Sequence, residues 1–254
     1  MLDELLSLDV YRFLLVFTRL GVVVQMIPGM SAPYVLPQFR LALALAISLL
    51  VLPVVAPTLP PQPENATALF LLIAGEAAVG VFLGLISQLL MTAINFAGAI
   101  IGFTSGMANA TVFDPISEEQ GAMVIGFMGN VAVLLIFTTG LHGLILGAVV
   151  DSYTLFKPGG GIMIGDMSKS LVSTLDHSFL IGAQFASPFI LGSMVFQMGL
   201  GVMSRLMPAM NVLFVGLPFQ LLLSFALFVI VLPPIMQAFL VFFRDGLTPF
   251  LAPG

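Results

Sequence analysis

The stretch of sequence that decides the fold is residues 77–113, AAVGVFLGLISQLLMTAINFAGAIIGFTSGMANATVF. These 37 consecutive residues contain no Asp, Glu, Lys or Arg. Crossing a bilayer core about 30 Å thick takes roughly 20 helical residues. At the usual helical rise, one straight helix of this length would extend about 55 Å. The stretch therefore predicts a membrane-type helix that is either longer than the bilayer is thick or broken.

The whole chain has the composition of a membrane protein. Of its 254 residues, 59% are hydrophobic and 7% are charged, whereas soluble domains carry about a quarter charged residues. The net charge is −5, and the seven Lys and Arg residues form no cluster, so nucleic acid and anionic lipid are poor candidate partners. The chain has no cysteine, which excludes disulfides, thiolate metal sites and cysteine nucleophiles.

Further charge-free gaps mark the other apolar segments. Each gap is long enough for one spanning helix, and a partly charged apolar segment at 5–27 precedes them. The gaps lie at residues 41–63, 120–150, 177–204 and 206–243. The predicted fold is all-α, a single domain over residues 1–254 with about six hydrophobic segments. We expect helical hairpins with broken helices that pack in a multi-subunit assembly.

Prolines and one polar stretch are predicted to divide these segments. Pro28, Pro33 and Pro37 end the first segment, and Pro53 is the first of five prolines that end the second, because proline lacks the amide hydrogen of a helix interior. Residues 157–176, which begin Lys-Pro-Gly-Gly-Gly, predict the main aqueous loop. Helix breaks at membrane depth require protein or a water-filled cavity around them, so the chain is predicted to be surrounded by other protein.

A lone arginine lies in a proline-flanked segment near the end of the chain. Arg205 carries the only charge between Asp176 and Arg244, and an isolated charge at membrane depth is costly. Taken alone, this segment suggests a solute or ion site. Because catalytic groups are lacking around it, we interpret it as a bend that turns one helix of a hairpin back on the next. The residues assigned to this bend and to assembly are Arg205, Pro208, Asn211, Gly216 and Pro218.

Small residues recur at four-residue spacing in the third segment. Gly98, Gly102 and Gly106 form one series, and Gly80 and Gly84 form another. This spacing places glycines along one helix face, where a second backbone can approach closely. The approaching helix belongs either to the same chain or to another subunit, and the sequence favours neither.

Two further charges, Arg19 and Glu76, fall at apolar segments. Arg19 and Arg12 share nearly the same helix face, which predicts a polar stripe facing a pore or a partner, with interfacial snorkelling as the alternative. Glu76 is predicted to pair with Arg205 or with another subunit, since isolated buried charges are expensive. The alternative is that Glu76 lies at the start of a helix in the headgroup region.

The segment that follows the long apolar stretch has an apolar tip beside a turn. An apolar tip of this kind can seal a pore by dewetting and steric blockage. Asp-Pro followed by glutamates also fits an ordinary capped helix start, and both interpretations can hold together. The residues assigned to a gate or plug loop are Met107, Val112, Phe113, Asp114 and Pro115.

No group of side chains in the sequence predicts catalysis or metal binding. Asp176, His177 and Ser178 are adjacent in sequence, which says nothing about the geometry of a catalytic triad. The glycine run at 159–161 lacks the Lys and the Ser or Thr of a phosphate-binding P-loop. We therefore expect a protein that is not an enzyme and that has no cofactor and no metal.

Five motifs follow one another along essentially the whole chain, from about residue 10 to 245. They are PQFRLALALA at 37–46, AGAIIGFTSG at 97–106, FDP at 113–115, GLHG at 140–143 with SY at 152–153, and SRLMPAMN at 204–211 with GLP at 216–218. In this order they resemble the FliR family, the flagellar type III export-gate subunit related to the T component of virulence injectisomes. One departure is Ala209, where the family usually has glutamine.

The resemblance implies an export gate that the subunit forms with several copies of FliP and FliQ, closed by contacts with FlhB and placed near FlhA. It implies helical hairpins around a central pore for unfolded flagellar proteins, in the bacterial inner membrane or the basal-body ring. The family's plug-like loop falls on residues 107–119, with Phe113 at its tip. The predicted function is thus a structural subunit of a hetero-oligomer that lines and plugs this channel.

The alternative from another class is a small-solute secondary transporter. Its midplane site would lie at broken helices near Glu76 and Arg205. Inverted repeats would favour a transporter, and we find no convincing one in the sequence. An intramembrane enzyme is a further rival, which no cluster of catalytic groups supports.

Overall fold

Long runs without charge form long helices, because a helix satisfies its own backbone groups in an apolar setting. The computed structural model describes residues 2–106, 120–161, 163–207 and 212–251. Within these residues there is no β-strand, and short 3₁₀ turns follow the second and last helices. The α-helices there are α1 Leu2–Met26, α2 Pro37–Val55, α3 Ala66–Thr104, α4 Gln120–Thr138, α5 Leu141–Leu155, α6 Ile164–Leu206 and α7 Val212–Leu247. The prediction of an all-α fold is confirmed.

The described residues form seven helices where about six segments were predicted, because the gap at 120–150 contains two. α4 and α5 are separated by a short break and bent by 70°. Gly140 in this break has a φ of 76°, a left-handed conformation that glycine adopts without strain. A broken helix is thus present, and a glycine rather than a proline makes the break.

Several prolines lie within helices rather than at their ends. α2 continues through Pro53, α6 through Pro188 and α7 through Pro218. Each proline removes one hydrogen bond from its helix, and the rest of a long, apolar ladder persists around it. α2 ends at Val55, within the group of five prolines that was predicted to end it, but Pro53, the first of them, lies inside the helix. Pro37 opens α2, at a position where its missing amide hydrogen is no loss.

Four of the described helices are long and apolar enough to cross a membrane, and the bent pair α4–α5 is a fifth candidate. The four cover Pro37–Thr58, Ala66–Thr104, Ile164–Leu206 and Gly216–Phe250. α3 has 39 residues, which corresponds to about 58 Å of helix. The third segment is therefore long rather than broken.

The polar stretch 157–176 is a loop in its first part and a helix in its second. α6 begins at Ile164, so the prediction of a loop up to residue 176 is wrong. Gly159, with a φ of 77°, forms the turn before it. Asp166 lies in the first turn of α6, where its negative charge complements the positive end of the helix dipole. This local stabilisation lets a polar sequence continue the helix.

The described chain folds into two compact units, each assembled from segments that are far apart in sequence. The first unit comprises the chain up to Leu90, Ile136–Leu175 and the chain from Phe243 onward. The second comprises the described parts of Met91–Leu135 and Asp176–Phe242. α3 thus contributes to both units. One domain over residues 1–254 stays a prediction.

In the first unit, α1 packs closely against α3 through two glycines. A Cβ atom at Gly80 would lie 2.7 Å from the Arg19 carbonyl oxygen, and one at Gly84 would lie 2.7 Å from the Met26 side chain. Both positions therefore require glycine for this close approach. Around the contact, the fully buried apolar side chains include Leu15, Leu20, Ile86 and Leu90.

In the second unit, other glycines bring α4 and α6 close to α3. A Cβ atom at Gly98 would lie 3.0 Å from the Ile125 Cα, and one at Gly182 would lie 2.7 Å from the Ala93 carbonyl oxygen. The helix that approaches Gly98 belongs to the same chain. Gly106 lies beyond the end of α3, so it does not continue the helical face on which Gly98 lies.

Candidate functional site

A buried ion pair joins α1 and α3 in the first unit. The Arg19 Nε donates to Glu76 Oε2 at 2.7 Å, and Arg19 Nη2 donates to Glu76 Oε1 at 3.0 Å. The two side chains are 1% and 3% exposed. Two parallel hydrogen bonds of this kind match the planar guanidinium to the carboxylate and make the pair both strong and directional.

Residues of α5 and the turn after it satisfy the rest of the guanidinium. Arg19 Nη1 donates to the Ser152 hydroxyl oxygen at 2.9 Å, and Nη2 donates to the Phe156 carbonyl oxygen at 3.0 Å. The guanidinium carbon also lies 3.9 Å from the centre of the Tyr153 ring, which is the geometry of a cation–π contact. Arg19 therefore ties α1, α3 and α5 together at one point.

The sequence brings these groups together through the glycine contact between α1 and α3. Gly80 lies one turn after Glu76 on the same helix, and the Arg19 backbone packs directly against it. This approach brings the Arg19 side chain within reach of the carboxylate. A buried charge is tolerated when it is paired and its remaining hydrogen-bonding groups are satisfied, and this cluster meets both conditions.

This geometry differs from the sequence interpretation of both charges. Arg19 is buried against its own chain, so the predicted stripe facing a pore or a partner does not include it. Glu76 lies ten residues into α3 and is bound by Arg19 rather than by Arg205, whose side chain is exposed. The sequence missed this pairing because the two residues are 57 positions apart.

A cavity of about 710 Å³ lies beside the ion pair in the first unit. Arg19 and Glu76 form part of its wall, and the exposed Lys157 and the glycines at 159–161 form another part. The guanidinium and carboxylate neutralise each other, so the pair offers a solute no uncompensated charge.

In the second unit, α6 and α7 form an antiparallel hairpin. A Cβ atom at Gly216 would lie 2.7 Å from the Leu200 side chain, so glycine lets the helices meet closely near the turn. Farther along, Phe196 stacks on Phe219 with ring centres 5.9 Å apart. The contact of Gly216 with Leu200 lies nearer the end of α6 and the start of α7 than the contact of Phe219 with Phe196, so the two helices run antiparallel.

The other residues assigned to the bend have different placements. Arg205 is exposed in the last turn of α6. The negative end of the helix dipole stabilises a positive charge at this position. Pro218 lies inside α7 and does not interrupt it. Pro208 and Asn211 lie outside the described residues, as do all five residues of the predicted plug loop: Met107, Val112, Phe113, Asp114 and Pro115.

A second, apolar cavity of about 300 Å³ lies in the second unit. Its wall combines parts of α3, α4, α6 and α7, and its polar groups are two serines. The aromatic residues that line it are Phe127, Phe189, Phe225 and Phe228. Such a wall favours an apolar side chain or chain segment. In the described residues no group of three or more His, Cys, Asp or Glu side chains is arranged to hold a metal ion.

Sequence reasoning also missed the buried polar side chains of α5 and α7. Ser152 was noted as part of a motif and given no role, although it binds Arg19. Gln220 was not singled out, although it is nearly buried in an otherwise apolar helix. The signal for both was present, because a polar side chain in an apolar helix needs a hydrogen-bond partner when it is buried.

The described helices are long and apolar, and the buried charges of Arg19 and Glu76 pair with each other inside the chain. These are the features of a polytopic helical membrane protein. Residues 10–246 match the family described as bacterial export proteins, family 1. The chain belongs to that family.

Individual relatives support the same assignment. The chain is 31% identical to the flagellar biosynthetic protein FliR of Caulobacter vibrioides, over 96% of this chain and 97% of the relative. It is 26% identical to FliR of Escherichia coli K12, over 81% of this chain and 78% of the relative. The Yop proteins translocation protein T of Yersinia pestis is 25% identical, over 75% of this chain and 74% of the relative.

These similarities confirm the resemblance to the FliR family that the five motifs indicated, and they include the related translocation protein T. At the level that they support, the chain is a component of the flagellar export apparatus. It is a membrane protein of a multi-subunit complex.

Proposed function

We propose that the chain is a structural subunit of the flagellar type III protein export gate, where it lines and plugs the channel for unfolded flagellar proteins. Its proposed partners are homologues of FliP, FliQ, FlhB and FlhA. Its proposed location is the flagellar basal body in the bacterial inner membrane. The role is architectural: the subunit supplies pore wall and a loop, and it carries out no reaction.

The observation that carries the proposal is the uncovered apolar surface of the α6–α7 hairpin. In the most apolar stretch of each helix 17% of the residues are buried by the chain itself, compared with 39% in α3. Large apolar side chains more than half exposed follow both helices: Leu191, Met194, Val195, Met198 and Val202 on α6, and Phe219, Leu222, Phe225, Val229 and Ile230 on α7.

Contiguous exposed apolar surface of this extent indicates a face that other molecules cover. Lipid covers apolar side chains, and its phosphate groups can pair with an arginine at the membrane surface. Neighbouring subunits supply both apolar side chains and polar partners. A gate made of several small membrane proteins requires subunits that pack against one another, and an exposed hairpin of this kind can supply such a contact.

The plugging role rests on residues 107–119, which connect α3 and α4. Their apolar tip, Val112 and Phe113, suits a seal that excludes water from a narrow pore. Replacing residues 110–116 by Gly and Ser should raise ion leakage through the assembled complex in liposomes. The control is the same replacement in residues 59–65, a loop of equal length between α2 and α3, which should leave leakage unchanged. Unchanged leakage in the first variant would remove the sealing role.

Dependence on partners separates the gate from a transporter. A gate subunit should stay soluble in detergent when it is co-expressed with FliP and FliQ homologues and should aggregate when it is expressed alone. Size-exclusion chromatography of both preparations measures this. A monodisperse chain that is functional by itself would contradict the gate and favour the transporter.

A further inference from the structure

The loop at residues 27–36, which joins α1 to α2 in the first unit, is held in shape by an arginine of α2. Arg40 lies in the first turn of α2 and belongs to the motif at 37–46. Its Nη2 donates to the Ala32 carbonyl oxygen at 2.5 Å and to the Val35 carbonyl oxygen at 3.0 Å. Hydrogen bonds from a charged donor are stronger than those between neutral groups, so one side chain fixes the second half of the loop.

A glutamine of α3 holds the first half of the same loop. The Gln88 Nε2 donates to the Met26 carbonyl oxygen at 2.6 Å and to the Ser31 hydroxyl oxygen at 3.2 Å. The first of these bonds satisfies a carbonyl group at the end of α1, where partners within the helix are lacking. Gly29, with a φ of 86°, makes the turn between them. Both halves of the loop are therefore tied to neighbouring helices.

This fixed loop presents large apolar side chains that the chain itself does not cover. Tyr34 is 69% exposed, Leu36 is 64% exposed, and Phe39 in the adjoining turn of α2 is 56% exposed. Aromatic side chains contribute much of the binding energy at protein interfaces. A loop that is already ordered loses little conformational entropy when it binds. Tyr34, Leu36 and Phe39, which we call the loop surface, thus have the properties of a preformed contact.

The positive charge beside the loop surface is not neutralised within the described residues. Besides the two carbonyl groups, Arg40 binds only the Gln25 amide oxygen, at 3.5 Å, and all three acceptors are uncharged. Its Nε is buried and has no hydrogen-bond partner there. No carboxylate of the described residues lies within ion-pair distance of Arg40. The loop surface therefore combines apolar side chains with an uncompensated positive charge.

A protein suits this surface better than a bilayer does. An arginine that serves lipid phosphates extends its guanidinium toward the headgroups, whereas Arg40 is half-buried and bends back onto the carbonyl groups of its own loop. A fluid bilayer adapts to the shape that it meets, so a loop held by four hydrogen bonds brings it no advantage. A folded partner gains affinity from exactly such a preformed shape.

We propose that the loop surface is a docking site for another subunit, which receives it in an apolar pocket flanked by an Asp or Glu side chain. The carboxylate neutralises Arg40, and the pocket covers Tyr34, Leu36 and Phe39. The site belongs to the first unit, whereas the exposed α6–α7 hairpin belongs to the second. The inference rests on membership of a multi-subunit complex and is independent of the proposed channel-lining and plugging roles.

The test replaces Tyr34 by the photoreactive p-benzoylphenylalanine in the complete chain, co-expressed with its partner subunits. Irradiated membranes should yield an adduct heavier by the mass of a protein subunit. Mass spectrometry of its peptides should place the cross-link in a segment with an Asp or Glu beside apolar residues. The matched control carries the photoprobe at Phe70, which is 70% exposed on α3 of the same unit and lies outside the loop, and it should give several-fold less of this adduct.

The mass of the adduct decides between the occupants. An adduct with the mass of a phospholipid, or no adduct at all, would overturn the docking site. Equal amounts of the protein adduct from both photoprobe positions would do the same, because the contact would then not be specific to the loop. A protein segment without a carboxylate would overturn the proposed chemistry of the partner.

Two replacements of Arg40, each made in the Tyr34 photoprobe chain, separate its charge from its hydrogen bonds. Arg40→Met removes both and should lower the protein adduct several-fold. Arg40→Lys keeps the charge and should retain more of the adduct than Arg40→Met does. Equal losses would show that Arg40 only shapes the loop, and unchanged adduct in both would overturn its role. Thermal unfolding of both complexes is the control, since adduct lost only in proportion to folded subunit would reduce Arg40 to a residue needed for folding.

Discussion

Two of the arginines in helices, Arg19 and Arg205, show how differently this chain treats a charge in an apolar segment. Arg19 is fully buried, and four hydrogen bonds and one aromatic contact from its own chain satisfy it. Arg205 is exposed at the end of a hairpin whose helices are mostly uncovered. The charge in the first region is satisfied within the chain, whereas the second region leaves Arg205 and the apolar faces of α6 and α7 exposed.

The largest loss of stability should come from replacing only one residue of the buried ion pair. Arg19→Met leaves Glu76 buried without its partner, which is expected to destabilise the subunit by about 3–5 kcal/mol. Combining it with Glu76→Leu removes the unpaired charge and should recover most of that loss. Thermal unfolding in detergent, with partner subunits present, measures both variants. A double variant as unstable as the single one would show that the unpaired charge is not the cause.

A smaller loss of stability is expected when α1 and α3 are forced apart at Gly80, where their close contact brings Arg19 to Glu76. In Gly80→Ala the new methyl group meets the Arg19 carbonyl oxygen, and such overpacking typically costs about 1–3 kcal/mol. Gly75→Ala is the control on the same helix, because no atom lies within 4 Å of its added methyl group. The control should be neutral or slightly stabilising, since alanine favours helix over glycine. Equal unfolding temperatures for the two variants would contradict the close-contact role of Gly80.

The exposed arginine should affect assembly rather than the stability of the subunit. Arg205→Ala is expected to lower the fraction of the subunit recovered in the complex, because neighbouring chains lose a charged partner. Arg244→Ala is the control, since Arg244 also ends a helix but pairs with the adjacent Asp245 at the surface, where ion pairs contribute little. Co-purification with tagged FliP homologue measures both. Equal recovery of the two variants would remove Arg205 from the assembly surface.

The smallest perturbation maps the uncovered hairpin directly. The chain has no native cysteine, so Val195→Cys and Leu222→Cys each introduce one thiol, at positions that are 70% exposed. Both should react with a membrane-permeant maleimide in membranes where the subunit is expressed without its partners and be protected in the complex. Ser178→Cys, a nearly isosteric change at a buried position of α6, should be protected in both. Equal labelling of Leu222→Cys in chain and complex would mean that lipid or detergent, and no subunit, covers α7.

The helices could be predicted from the sequence because charge-free length is a local property. The gap at 77–113 predicted a helix that is either longer than a bilayer or broken, and α3, with 39 residues, is the long alternative. Prolines were weaker guides, since Pro188 and Pro218 lie inside long helices whose other hydrogen bonds remain intact. The polar start of α6 was missed for the related reason that a well-placed Asp166 can stabilise a helix start in a polar sequence.

The contacts of the candidate sites were harder to predict, because they join residues far apart in sequence. Glu76 was recognised as a costly charge, but nothing local indicated that Arg19 would be its partner. Gln220 carried a signal, as a polar residue in an apolar helix, yet its acceptor lies 116 positions away. Pairings of this kind depend on how the helices pack.

The sequence by itself determined the class of this protein: an all-α membrane chain of the FliR family, with little charge to place. Composition and the order of motifs carry that information because they do not depend on which helices touch. The tertiary structure decided which charge is satisfied inside the chain, Arg19, and which stays exposed, Arg205. The pairing of Arg19 depends on a few glycine contacts. Gly80 sets how closely α1 approaches α3, and this distance determines whether the Arg19 side chain reaches Glu76.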